Sequence, residues 1–332
     1  MYPKLKINLK KIEENTKKIV LLAKKNNIEI IGVTKGIGGD LKIAKSLLNA
    51  GISNLADSRI QNIKNLKRLN AQISCLRMPQ LSNIEKLIKY TDVLYVSEKK
   101  TLRKINQIAK KNNEIKDIMF MLESDDKREG IQLKELNTYM KYIKGLKNIK
   151  FKGIASNFCC LNNIKPSILK LKKFKSLIKN IKKKKDNLII SLGNSSSLPL
   201  LLDKDFNPVS NQYRIGETIL LGLEVPSGKQ FMDLNLDTFI LEAEIVEIKN
   251  RIINGSIKKR ILLSIGRQTI DPKGLKPLSK NVSVIDSTSG YTIIETEKEN
   301  NFNLGDTIKF RVDYLNMLKC ITLNYIKKEY IN

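Results

Sequence analysis

One lysine, two glycine-bearing loops and two arginines hold most of the chemistry that this sequence could perform. Lys35 ends a run whose alternate residues Ile31 and Val33 are apolar, and Gly36-Ile37-Gly38-Gly39 follows it. A lysine amine placed there is expected to be partly desolvated, which favours the neutral form that condenses with a carbonyl. Taken alone, one lysine among 61 basic residues reads as a solvated side chain. Gly193-Asn194-Ser195-Ser196 offers turn freedom, amide and hydroxyl groups at the start of a helix, where backbone N–H groups attract an anion such as phosphate. The same loop reads equally well as ordinary N-capping by Asn194 or Ser195. In Arg214-Ile215-Gly216-Glu217, a further glycine would let a second stretch of backbone approach the same anion. The chain has no histidine, so Ser-His and Cys-His pairs and histidine-ligated metals are excluded. Four cysteines, Cys75, Cys159, Cys160 and Cys320, show no CxxC spacing, and no metal is expected. Acid–base work near neutral pH must then fall to Lys, Tyr, Cys, a shifted carboxylate or a bound cofactor.

These groups need a scaffold that brings distant parts of the chain to one place. Short β-rich runs alternate with amphipathic helical patterns over the first two thirds of the sequence. The strand candidates are Glu29–Thr34, Asn54–Ala56, Gln72–Arg77, Asp92–Val96, Asp117–Leu122, Lys150–Ser156, Leu188–Leu192 and Gln212–Ile215. Helical patterns at Leu41–Asn49, Arg59–Leu69 and Thr101–Lys111 separate them, which points to a (β/α)8 TIM barrel; an open doubly wound sheet is the alternative. In a barrel the strand ends meet at one mouth, which would gather Lys35, Asp57, Arg59, Arg77, Glu123, Arg128, Ser156-Asn157, the Gly193 loop and the Arg214 loop.

After about Gly222 the helical period disappears and Phe239–Glu247, Arg260–Ile265, Val282–Ile285 and Thr307–Val312 alternate as strands, with Asn254-Gly255 a type I′ hairpin signal. The chain is therefore read as α/β, a barrel over residues 1–230 followed by a smaller all-β domain over 231–332. Lys4–Asn8 is a strand with no place in the barrel and is assigned to pairing with the β domain; Leu9–Lys25 is a helix. The formal charge of +28 is spread along the chain beside Asn and Ile. Even the dense run Lys170–Lys185 carries apolar residues at helical spacing, so its lysines read as one face of an amphipathic helix. No nucleic-acid partner is expected, nor a membrane span or signal peptide, and the chain is read as cytoplasmic.

The stretch from Ile31 to Asp40 around Lys35 resembles the pyridoxal-phosphate (PLP)-dependent alanine/ornithine racemase family, as do Leu55–Leu66, Asp125–Ile131, Gly193–Leu198 and Asn211–Gly222. The likeness continues to Gly274–Leu278 in the β domain, and the order and spacing of the motifs are more specific than any one of them. The resemblance implies a PLP enzyme that interconverts the L and D forms of an amino acid, built as a homodimer whose active sites draw on both subunits. Lys35 would be the Schiff-base lysine. Asn194, Ser195 and Gly216, with the backbone of Glu217, would hold the phosphate. Arg214 would face the pyridine nitrogen and disfavour its protonation. Arg128 would lie near the phenolic oxygen or the substrate carboxylate.

Asn157 stands where alanine racemases carry histidine and ornithine-type relatives asparagine, which favours a basic substrate, ornithine first. Asp125, Asp126 and Glu129 are candidates for its distal ammonium, and each reads equally as a solvated loop carboxylate. Tyr291, where ornithine-type relatives place a histidine, would be the second catalytic base, given by the partner subunit, with Arg267 a candidate to favour its phenolate; a half-buried strand tyrosine is the plain alternative. Cys159, Cys160 and Tyr314 are other occupants of that face. The competing functions are a PLP-homeostasis protein, which would resemble the barrel alone, and a non-catalytic binding protein.

Overall fold

A computed structural model describes residues 2–331 except 125–126, 160–165, 168–170, 172–173, 175–186, 226, 254–255 and 298–299. The dense lysine run, Asp125, Asp126 and Cys160 therefore fall wholly or largely outside the described residues.

The first sheet is an almost closed parallel barrel. Its strands are β2 (Glu29–Val33), β3 (Asn54–Asp57), β4 (Gln72–Cys75), β5 (Val93–Val96), β6 (Lys116–Met121), β7 (Ile149–Ala155), β8 (Ile189–Ser191), β9 (Gly193–Asn194) and β10 (Gln212–Ile215). They pair in the order β8-β7-β6-β5-β4-β3-β2-β10-β9. β8 and β9 are two pieces of one run on either side of Leu192, pairing with β7 on one side and β10 on the other, so they close the ring. Eight strand positions result, as the alternation of apolar runs predicts.

Strand residues alternate between two apolar layers, as a barrel requires. Val93, Tyr95, Met119, Met121 and Ala155 pack together in one cluster, while Leu94, Val96, Ile118, Phe120 and Ile154 belong to the main core. The expected helices Leu9–Lys25 and Leu41–Asn49 form with those bounds, and asparagine or aspartate caps each: Asn8 accepts from Lys11 N and Asp40 from Ile43 N. Gly193 departs from its expected part. It lies within a strand, and a Cβ there would come 2.1 Å from the Tyr213 ring, so the glycine is needed for close packing rather than for a turn.

The second sheet is mostly antiparallel, in the order β13 (Leu275–Pro277), β16 (Thr307–Val312), β11 (Phe239–Ile253), β12 (Ser256–Leu263), β15 (Thr292–Glu297), β14 (Val282–Ser287). β1 (Lys4–Asn8) inserts between β11 and β17 (Lys327–Ile331), burying Leu5 and Ile7, so the N-terminal strand joins the β domain as its missing barrel role suggests. β11 serves three neighbours, β1 over Phe239–Glu242, β16 over Ile240–Glu244 and β12 from Ile245 onward, with a bulge between Ile245 and Glu247. Ile253 pairs with Ser256, and the Asn254-Gly255 turn between them lies outside the described residues. Periodicity alone misses the helix Tyr314–Thr322, which packs on the short helical turn Lys35–Ile37 and so completes the barrel mouth from the second domain.

Candidate active site

The turn that carries Lys35 is held from beneath. Thr34 donates its backbone N–H to Ala56 O and its hydroxyl to Asp57 Oδ2 at 2.7 Å. The other Asp57 oxygen takes Ser58 N, Arg59 N and Asn62 Nδ2 at 2.7–3.0 Å. Asn62 closes the far end of the same turn: a Cβ on Gly39 would lie 2.7 Å from Asn62 Cβ, and Gly39 has φ +68°. Asp57 is fully buried; burial raises its carboxyl, and the four hydrogen bonds offset only part of that. Lys35 itself is exposed at the cleft rather than partly buried as the sequence predicts, because the turn lifts it off the end of β2. Gly36 allows Tyr314 to approach, since a Cβ there would stand 2.7 Å from the ring.

On the far side, Arg214 is 4% exposed and spends its guanidinium on uncharged acceptors. Nη1 donates to Ser191 O and to Ser191 Oγ at 2.6 Å, and Nη2 to Ser156 O at 2.6 Å and Asn157 Oδ1 at 3.1 Å. The guanidinium also stands 5.8 Å from the centre of the buried Tyr95 ring. β8 and the residues just after β7 thus fix the cation that β10 carries.

The loop after β6 doubles back through a bridge between Leu122 and Ile131. Gly130 permits this: its φ is +124°, and a Cβ would fall 2.3 Å from Glu123 N. The bend presents Arg128 and Glu129 as a bidentate pair, with Asn157 Nδ2 donating to Glu129 Oε1 at 2.6 Å. Burial raises the Glu129 carboxyl, but Arg128, the Asn157 amide and the charge of Arg214 outweigh it and hold the group below the usual carboxylate range.

Between these walls lies a cleft of about 570 Å³. Lys35, Arg128, Asn157, Asn194, Ser195, Arg214, Gly216 and Glu217 all line it, joined by Val33, Cys159, Asp313 and Tyr314. Asn194 unites both readings of its loop, because it lines the cleft while its Oδ1 accepts from Ser196 N in a capping box. Ser195 Oγ accepts from Thr218 N at 3.4 Å, which joins the Asn194 and Gly216 loops, and the buried Thr218 Oγ1 has no hydrogen-bond partner among the described residues. Gly216 is needed where the backbone meets β2, since a Cβ would lie 2.9 Å from Val33 O. Burial raises the Glu217 carboxyl, with Lys35 lowering it and Asp313 adding to the rise.

Other expected residues stand apart. Arg59 and Arg77 line a neighbouring groove with Cys75, so the strand ends do not all converge. Burial pushes the Cys75 thiol up to about 11. Tyr314 shares the cleft with Lys35, but burial and the carboxylates of Glu217 and Asp57 push its phenol well above its ordinary value, which suits a donor and not a base. Tyr291 is 48% exposed in the turn between β14 and β15 and does not line the cleft of its own chain. Arg267 gives its guanidinium to Asp286 and Ser287 O, so it is already engaged. The sequence reading missed Asp57 as the support of the Lys35 turn and Ser191 as the seat of Arg214; a polar residue inside a strand run is the one signal for either.

Residues 7–223 match the family model described as the alanine racemase N-terminal domain. A lysine racemase of Thermotoga maritima is 31% identical over 99% of each chain, and an ornithine racemase of Acetoanaerobium sticklandii 33% identical over 99% of each. In fold, the chain is similar to the alanine racemase of Bartonella henselae solved with covalently bound pyridoxal phosphate, with a TM-score of 0.79, 16% identity and both chains covered in full.

Proposed function

Since the chain belongs to the alanine racemase N-terminal domain family, we propose that it is a PLP-dependent racemase of a basic amino acid, ornithine before alanine. The observation that carries this reading is the gathering of Lys35, Arg214 and the Ser195–Gly216 junction on one cleft. The residues fit the cofactor: a primary amine, a pair of loops with hydroxyl and backbone donors joined at Ser195 and Thr218, whose buried hydroxyl has no hydrogen-bond partner among the described residues, and a fixed buried cation.

Bound there, PLP supplies the electron sink that makes an amino-acid Cα proton acidic. Lys35 would hold the cofactor through its amine and carry a proton on its own face. Ser195, the Asn194 and Gly216 backbones and that of Glu217 would hold the phosphate. Arg214 would serve the pyridine nitrogen, where a guanidinium that keeps its proton leaves none for the ring. Arg128 would take the phenolic oxygen or the substrate carboxylate. Racemisation needs a proton carrier on each face, and Lys35 can serve only one. We assign the other to Tyr291 from a second copy of the chain, which makes the working unit a homodimer. No helix among the described residues is long and apolar enough to cross a membrane, in keeping with a proposed cytoplasmic enzyme.

The relatives' likeness runs through barrel and β domain alike, which supports a racemase over a barrel-only PLP carrier. Polarimetry or chiral chromatography of the PLP-loaded protein with ornithine, lysine, arginine and alanine tests the reading. Turnover of ornithine or lysine should exceed that of alanine; alanine as the best substrate refutes the preference, and no turnover with any of the four refutes the racemase.

A further inference from the structure

Glu129 does not line the cleft, yet it touches two residues that do. Both of its oxygens are engaged. Oε1 accepts from Arg128 Nη2 at 2.6 Å and from Asn157 Nδ2 at 2.6 Å, and Oε2 accepts from Arg128 Nε. Asn157 passes the link on, since its Oδ1 accepts from Arg214 Nη2 at 3.1 Å. An amide held between a carboxylate and a guanidinium has one allowed orientation, with its N–H groups toward the carboxylate and its carbonyl toward the cation. The reverse would set like partners against each other at both ends. One carboxylate thereby fixes Arg128 directly and Arg214 at one remove. The Arg214 bonds to Ser191 and Ser156 are to uncharged oxygens, so this relay brings it a counter-charge.

We propose that Glu129 is a positioning residue: it holds Arg128 in a bidentate pair and, through Asn157, fixes the Arg214 guanidinium. This rests on the reading of the cleft as a PLP site. It also removes Glu129 from the candidates for the substrate's distal ammonium, because neither carboxylate oxygen is left without a cation or amide already on it.

The test begins with PLP titrated into the wild-type protein and followed by visible absorption, which needs no turnover. Glu129→Gln and Asn157→Ala, separately and together, are then compared in PLP affinity, in the pH dependence of the bound-cofactor band, and in kcat and KM for ornithine and alanine. Glu129→Gln should shift that pH dependence and lower kcat by about 10- to 100-fold. The factor should be similar for both substrates, with KM little changed. The double variant should lose no more than the worse single one, because both break one relay. Full additivity, or a Glu129→Gln protein with unaltered spectrum and kcat, overturns the proposal. A rise in KM for ornithine alone also overturns it and makes Glu129 the ammonium receptor. Should Glu129→Gln fail to fold, Asn157→Ala alone decides through the same spectral shift. Wild-type protein that takes up no PLP overturns the reading of the cleft, and the relay with it, before any variant is compared.

Discussion

The Arg214 wall of the cleft and the Tyr291 turn of the β domain are built on opposite terms. Arg214 is buried, and four acceptors, two on Ser191 of β8 and two on Ser156 and Asn157 just after β7, settle its position before anything binds. Tyr291 is half exposed in a tight turn, where Thr288 N donates to Tyr291 O at 2.8 Å and Gly266 is packed against the same backbone. The groups that would set the cofactor's electronics are thus preorganised within one chain. Tyr291, the proposed second proton carrier, is held out from its own cleft and would have that use only if another copy brought a cleft to it.

The largest effect that bears on this contrast is at Lys35. Lys35→Ala should lower racemisation by roughly 10⁴-fold or more and prevent covalent retention of PLP, since among the described residues no other lysine lines the cleft. Turnover within tenfold of wild type would remove Lys35 from the chemistry. Next comes Tyr291→Phe, expected to cost about 10²- to 10⁴-fold in racemisation while Cα exchange in deuterated water persists from one enantiomer. Near-normal racemisation in both directions would dismiss Tyr291. Mixing that variant with Lys35→Ala sharpens the point. If sites form across a two-fold dimer, half of the hybrids' sites are intact and about a quarter of wild-type activity returns. Sites confined to one chain would return none.

Arg214→Met should show on stability as well as on activity. It strips donors from Ser191 O, Ser156 O and Asn157 Oδ1, and a loss of about 3 kcal/mol in urea unfolding is expected. An unchanged midpoint would mean that the wall is not held as described. The smallest effect is at the support of the Lys35 turn. Thr34→Val and Asp57→Asn should each slow turnover by about tenfold, and the pair should be no worse than the stronger single change. Independent, additive losses would separate the two residues.

Much of this architecture was legible in the sequence, for reasons particular to each part. Barrel strands such as Gln212–Ile215 stand out because both faces are buried, and the helix Leu41–Asn49 because one face is and Asp40 caps it. The eight cleft residues could be placed together because strand ends in a barrel share a mouth, so order along the chain becomes proximity in space. The β domain was harder. Lys327–Ile331 is a strand only because β1 pairs with it, and Tyr314–Thr322 is short and capped in a region of strand patterns. The Glu129–Asn157–Arg214 link joins three separate stretches through side-chain angles that no local pattern encodes. Gly193 carried the right signal for the wrong cause, since a glycine that yields to the Tyr213 ring looks like one that turns the chain.

The central claim is that Lys35 holds the cofactor, and reductive trapping addresses it most directly. The protein is loaded with PLP, reduced with borohydride, digested and mapped by mass spectrometry. The account predicts a single pyridoxyl-phosphate mass increment on the peptide that contains Lys35, with loss of the visible band. A label on any other lysine, or a protein that reduction leaves unlabelled, would contradict it.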